Sequence, residues 1–192
     1  MRKIVVSQFV TVDGVVESPA PEPGFDRGGW AFKYDRGAEG HKYKADEVET
    51  AGALLLGRKT YEAFAAVWPT MREDTGIADK MNSTPKYVVS STLKTADWAN
   101  STILADDAIA AIRELRAGDG GDILVHGSLA LVAALAEHDL VDVYRLMVFP
   151  VVLGAGRRLW GETGAPADLT LQETRAVGDA GVVVQTYERH RA

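Results

Sequence analysis

Three short stretches of this chain gather glycines, hydroxyls and cations in combinations suited to holding phosphate. Gly57-Arg58-Lys59-Thr60 offers backbone N–H groups with little side chain over them, a hydroxyl, and a guanidinium able to grip an oxyanion at two points. Ser90-Ser91-Thr92 lines up three hydroxyls. His126-Gly127-Ser128 sets a glycine and a hydroxyl ahead of an apolar helical pattern, where a pyrophosphate can approach the backbone closely. Each stretch also has a plain structural use: Gly57 and Gly127 make turns, Thr60 and Ser128 cap helices, and Ser90 and Ser91 belong to a turn. The recurrence of one arrangement at several strand ends favours phosphate. Neither G-x-G-x-x-G after the first strand nor G-x-x-x-x-G-K-[ST] is present, so phosphate has to be held by distributed turns.

These residues depend on an alternation of strands and helices. Lys3–Val10 reads as a buried strand running into the Asp13-Gly14 turn. Residues 19–29 pack three prolines and three glycines into a surface loop. Ala38–Thr50 has the thin apolar stripe of a helix with one exposed face. Ala53–Gly57 is short and unbroken in its apolar character, as a strand buried on both faces must be, and a helix follows over Thr60–Ala66. The pattern repeats with strands at Lys86–Val89, Ser101–Leu104 and Ile123–Val125, and with helices over Asp107–Arg116 and from Leu129. The end differs: Val141–Val148, Leu169–Val177 and Val182–Tyr187 are strand-like, and Asp179-Ala180-Gly181 marks a hairpin between the last two. The expectation is an α/β fold of one domain over residues 1–192, with a mainly parallel sheet closing in antiparallel strands and helices on both faces.

Composition sets the outer bounds. The 192 residues are 46% apolar and carry 21 Lys and Arg against 27 Asp and Glu, a net charge of −6. No basic cluster is dense enough to neutralise a run of phosphates, which argues against nucleic acid as a partner. No apolar run reaches the roughly 20 residues that cross a bilayer, so a soluble cytoplasmic protein is expected. With no cysteine, thiolate metal sites, disulfides and cysteine nucleophiles are excluded, and no metal centre is expected.

Ser7 with Val12-Asp13-Gly14, the Leu55–Glu62 block, Lys86–Ser91, the His126-Gly127-Ser128 turn and the run from Leu140-Val141-Asp142 to Phe149–Gly156 stand in one order. Together they resemble the dihydrofolate reductase-like superfamily, most closely the reductase domain of the bacterial riboflavin-pathway deaminase/reductase, over about residues 3–188. The resemblance implies a sheet of about eight strands and an NADPH-dependent reductase of a small heterocycle, similar to 5-amino-6-(5-phosphoribosylamino)uracil reductase. It assigns cofactor phosphates to Gly57, Arg58, Lys59 and Thr60, the adenosine 2′-phosphate to Ser90 and Ser91, and the pyrophosphate to Gly127, Ser128 and Leu129. It also sets the Asp13 turn beside the nicotinamide, making Asp13 a catalytic candidate, and implies a homodimer; the apolar character of segment 148–153 suits either a dimer seam or a core strand.

Trp30 and Phe32, with Tyr34, can form an apolar wall against a flat heterocycle, or can be core aromatics. Arg145, Arg157 and Arg158 are available for a substrate phosphate. His126 is a proton donor by type, yet its buried strand end suits a core histidine. Folate reduction fits less well: Val143–Val148 offers apolar residues where the pterin-side hydroxyl belongs, and Asp35, Glu39, Asp46 and Glu47 on or near the first helix read as solvated charges. Two alternatives to the heterocycle reductase therefore stand beside it, a pterin or folate reductase and a nucleotide- or metabolite-binding protein on the same fold without turnover.

Overall fold

Leu54, Leu55 and Leu56 have no solvent exposure at all, as their unbroken apolar run requires. Each contributes about 1.5–3 kcal/mol by leaving water. In the computed structural model, which describes residues 1–72, 76–161 and 166–191, they form the middle of a strand with a parallel neighbour on either side.

In chain order the elements are β1 (Ile4–Thr11), a 3-10 turn (Trp30–Lys33), α1 (Gly37–Thr50), β2 (Ala51–Gly57), α2 (Arg58–Ala65), α3 (Ile77–Ser83), β3 (Lys86–Val89), β4 (Ser101–Leu104), α4 (Ala108–Ala117), β5 (Asp122–His126), α5 (Leu129–Glu137), β6 (Val143–Phe149), β7 (Leu169–Val177) and β8 (Val182–Arg189). The eight strands form one sheet in the order β4-β3-β2-β5-β1-β6-β8-β7. β2 pairs in parallel with β3 and β5, and β3 with β4, while β6/β8 and β7/β8 are antiparallel. This is the mainly parallel sheet with an antiparallel C-terminal hairpin that the sequence predicts.

By packing, the chain divides into two compact units, one of Met1–Val6 with Lys44–Asp142 and the other of Ser7–Tyr43 with Val143–Ala192. The first is built on the buried strands β2, β3 and β5. Asp142 anchors it: its Oδ2 accepts the N–H of Ile4 at 2.8 Å, and Arg116 donates Nε and Nη2 to its two oxygens at 3.2 and 2.6 Å. Lys86 is fully buried at the start of β3 and donates its ammonium to the carbonyls of Asn82, Thr84 and Ala99 at 2.8–2.9 Å. It thereby closes the C-terminal end of α3, a seven-residue helix too short for periodicity to reveal. Burial pulls the Lys86 pKa down to about 8.

The second unit has an aromatic core in which Phe149 meets Phe9, Trp30 and Tyr34 edge-on, with ring centroids 5.2, 5.4 and 6.1 Å away. Val177 faces Val182 across the expected hairpin. Among the described residues no helix is long and apolar enough to cross a membrane, and no cluster of His, Asp or Glu side chains is placed to hold a metal ion.

Candidate functional site

Because β3, β2 and β5 are neighbours in that order, the three hydroxyl-bearing stretches leave the sheet side by side. Gly57 is level with Val89, and Leu55 with Val125. The chain therefore exits at Gly57, Ser90 and Gly127 along one edge of the first unit.

Helix α2 begins directly after Gly57 and α5 directly after Ser128, and no side chain caps either of them. Here the structure corrects the plain reading of the turns. Thr60 lies inside the first turn of α2 instead of at its cap, and Ser128 occupies the cap position without its hydroxyl capping anything. Helix α4 is the contrast: Asp107 closes its N-terminus by accepting the N–H of Ala110 at 3.1 Å. Two neighbouring helices thus present their positive ends with no side-chain capping bond, an arrangement fitted to an external anion.

The glycines of these turns serve each other. Gly57 has φ −84° and ψ 161°, extended backbone that any residue adopts, so no turn geometry demands glycine there. What demands it is space: a Cβ at Gly57 would overlap Ser128 Oγ and lie 2.8 Å from Ser128 Cβ. Reciprocally, a Cβ at Gly127 would lie 2.9 Å from Thr60 Oγ1, and Gly127 is also left-handed at φ 57°. Ser128 follows at φ 55° and ψ 72°, a conformation that costs a non-glycine residue about 1–2 kcal/mol.

The remaining cofactor candidates differ in how far they are engaged. Arg58 is exposed and paired with Glu62, Nη1 reaching both carboxylate oxygens at 3.0 and 2.9 Å. Lys59 and Ser91 are exposed and Leu129 is half-buried. The buried Ser90 accepts the N–H groups of Thr92 and Leu93 at 3.2 and 2.9 Å, which ties its hydroxyl to the turn. His126 stands 6.0 Å from the Phe64 ring. Burial, and secondarily the Lys44 charge, push its pKa well below the ordinary histidine value, so it is neutral at physiological pH. Of the first-helix acids, Glu47 is buried and paired with Lys44, Glu39 and Asp46 are exposed, and Asp35 accepts the N–H of Gly37.

In the second unit Asp13 is a hub. Its Oδ1 receives the Thr11 hydroxyl at 2.6 Å and the N–H of Leu153 at 3.2 Å, and its Oδ2 receives the N–H of Gly154 at 2.8 Å. Arg158 donates Nε to the Asp13 carbonyl at 2.9 Å. The Thr11 hydroxyl, with help from the Gly154 and Leu153 amides, holds the Asp13 pKa at about 2 against the opposing effect of burial. Arg157 pairs with Glu17, and Arg27 donates to the Leu153 carbonyl. Sequence reasoning placed Asp13-Gly14 and Leu153–Gly156 in one ordered set but gave no sign that one holds the other.

Trp30 is buried and donates its indole N–H to the Glu17 carbonyl at 2.9 Å, whereas Phe32 is 67% exposed. Tyr34 packs against the aromatic core and Arg145 is half-buried in β6. Of segment 148–153, Phe149 is a core residue and Val152 is largely exposed. A cavity of about 360 Å³ lined by Thr170, Gln172, Glu188, Arg189, His190 and Arg191 contains none of the predicted site residues.

Residues 2–183 match the family model of the RibD C-terminal domain. The chain is 27% identical to the uncharacterised Bacillus subtilis protein YyaP, over 97% of this chain and 94% of that protein. It superposes on the structure of a putative riboflavin biosynthesis protein from Shewanella sp. PV-4 with a TM-score of 0.76 at 19% identity, covering 98% and 99% of the two chains. On dihydrofolate reductase from Enterococcus faecalis complexed with NADP(H) and RAB-propyl, the TM-score is 0.61 at 14% identity, covering 98% and 97%. At these identities the two structures establish a dihydrofolate reductase-like fold.

Proposed function

The chain belongs to the RibD C-terminal domain family, and from that premise we propose that it is an NADPH-dependent reductase of a small heterocyclic substrate. The observation that carries the reading is the pair of uncapped helix N-termini at the ends of the adjacent strands β2 and β5.

Backbone N–H groups opening α2 and α5 suit a pyrophosphate, with Thr60 and Ser128 beside them and Gly57, Gly127 and Leu129 shaping the approach. For a 2′-phosphate the chain offers Arg58, Lys59 and Ser91, with Ser90 holding the turn from which Ser91 projects. NADPH, when bound, supplies a hydride to the substrate. Asp13 has no proton to give at neutral pH and acts as a positioning residue for the 151–158 loop. Phe32 is an exposed aromatic available to a flat heterocycle, and Trp30 supports the same segment from the core. A cytoplasmic location and a homodimer seamed by residues 148–153 belong to the same reading, with light scattering as the check on the dimer.

Calorimetric titration tests the cofactor assignment. Micromolar NADPH binding, clearly tighter than NADH, is expected; equal affinity for the two removes the 2′-phosphate argument. One observation supports a binder without turnover, namely that Asp13 is ionised with both oxygens engaged. Tight NADPH binding with no cofactor oxidation across pterins and uracil derivatives would favour that reading, and hydride transfer to any one compound would eliminate it.

A further inference from the structure

Gly57 leaves an extended strand with no conformational need for glycine, and Ser128 sits in a left-handed conformation that serine adopts at a cost. Both irregularities occur where the two residues meet. The Ser128 side chain occupies the space that a Cβ on Gly57 would take, so one residue contributes the volume and the other its absence.

We propose that Gly57 and Ser128 form a steric key that sets the spacing of the α2 and α5 N-termini, making both of them positioning residues for the diphosphate. The proposal rests on the cofactor reading above but adds a claim that reading does not contain: Ser128 acts through the volume it wedges against Gly57, not through a hydroxyl bond to the ligand. The reciprocal contact of Gly127 with Thr60 joins the same two turns on the other side of the key. Helix N-termini hold an anion through short, direction-dependent N–H bonds, so a shift of a few tenths of an ångström between them weakens the grip.

The key predicts a swap. In Gly57→Ala the new Cβ displaces Ser128, and in Ser128→Gly the wedge is lost. In the double variant Gly57→Ala/Ser128→Gly, the methyl introduced at position 57 stands where the serine side chain stood. Each single change is expected to weaken NADPH binding about tenfold, and the double variant to return to within about threefold of wild type. A double variant as weak as the sum of its parts overturns the proposal, as does Ser128→Gly loss that Gly57→Ala leaves unrescued, the signature of a direct hydroxyl contact. Thermal melting without ligand reads the key separately: Gly57→Ala lowers Tm and the double variant recovers it. If Gly57→Ala does not fold, folding of the double variant is the rescue, and its failure to fold refutes the key. Absence of NADPH binding by the wild type would defeat the cofactor reading alone, the melting comparison still deciding whether the two residues are coupled.

Discussion

Asp13 accepts the backbone N–H of Gly154 at 2.8 Å across 140 intervening residues, fastening the turn after β1 to the Leu153–Gly156 loop. The bond is charge-assisted, and the Leu153 amide and the Thr11 hydroxyl converge on the same carboxylate.

Asp13→Asn turns one acceptor oxygen into an N–H donor facing other donors. The loop at 151–158 should become more susceptible to limited proteolysis, and urea unfolding should show a loss of about 1–2 kcal/mol. The pH behaviour follows from the sign of the shift. A carboxylate at about 2 in the folded protein and 3.8 otherwise contributes stability fully above pH 4 and loses it as pH falls towards 2. Between pH 5 and 9 the fastening is constant, so no limb of a neutral-range activity profile should belong to Asp13.

Arg58 is paired with Glu62 at exposed positions, a contact worth well under 1 kcal/mol. A cofactor phosphate has to compete with that carboxylate. Glu62→Gln is therefore expected to tighten NADPH binding by about two- to threefold, whereas Arg58→Gln and Ser91→Ala weaken NADPH by about tenfold with little change for NADH. Calorimetry with both cofactors reads all three.

His126 is neutral in the folded state because burial, and then Lys44, disfavour its charged form. Below pH 6.5 the unfolded chain takes up a proton that the native one refuses, so stability rises with pH up to about 6.5 and is flat above it as far as this group is concerned. Denaturant unfolding at pH 5.5 and 7.5 should show the loss on acidification in wild type, and a smaller loss in His126→Gln.

Lys86→Met removes an ammonium that satisfies three carbonyls while keeping the length of the side chain. Leaving those oxygens unpaired should cost about 2–4 kcal/mol in equilibrium unfolding. Asp142→Ala should cost a similar amount, since it strands the Arg116 guanidinium and the Ile4 N–H. A loss below 0.5 kcal/mol in either variant would mean that water replaces the missing partner.

Most of the parallel core was legible because its strands are apolar without interruption: Leu54–Leu56 and Ile123–Val125 admit no other burial pattern. Observed boundaries run one or two residues from those expected. Arg58 and Lys59 lie inside α2, and β6 starts at Val143 because Asp142 turns to serve Ile4. The three strand-end turns were visible as residue types, since glycine and hydroxyls in recurring order are a local signal. How they meet was not visible. That Gly57 is small for the sake of Ser128, 71 positions later, is a relation between two surfaces, and so is the hold of Asp13 on Gly154. Lys86 marks only the edge of a strand in the sequence, because nothing local distinguishes a lysine facing three carbonyls from one facing water.

Asp107 shows what α2 and α5 do without. A side-chain cap adds up to about 1 kcal/mol to a helix, and the chain forgoes the capping bond at two adjacent turns. Any anion that completes those turns raises the melting temperature by an amount that grows with the logarithm of its concentration over its Kd. Thermal shift thus becomes a substrate-independent screen: phosphate, pyrophosphate, NADH and NADPH can be ranked by affinity at one fixed concentration on the purified protein before any reaction is known.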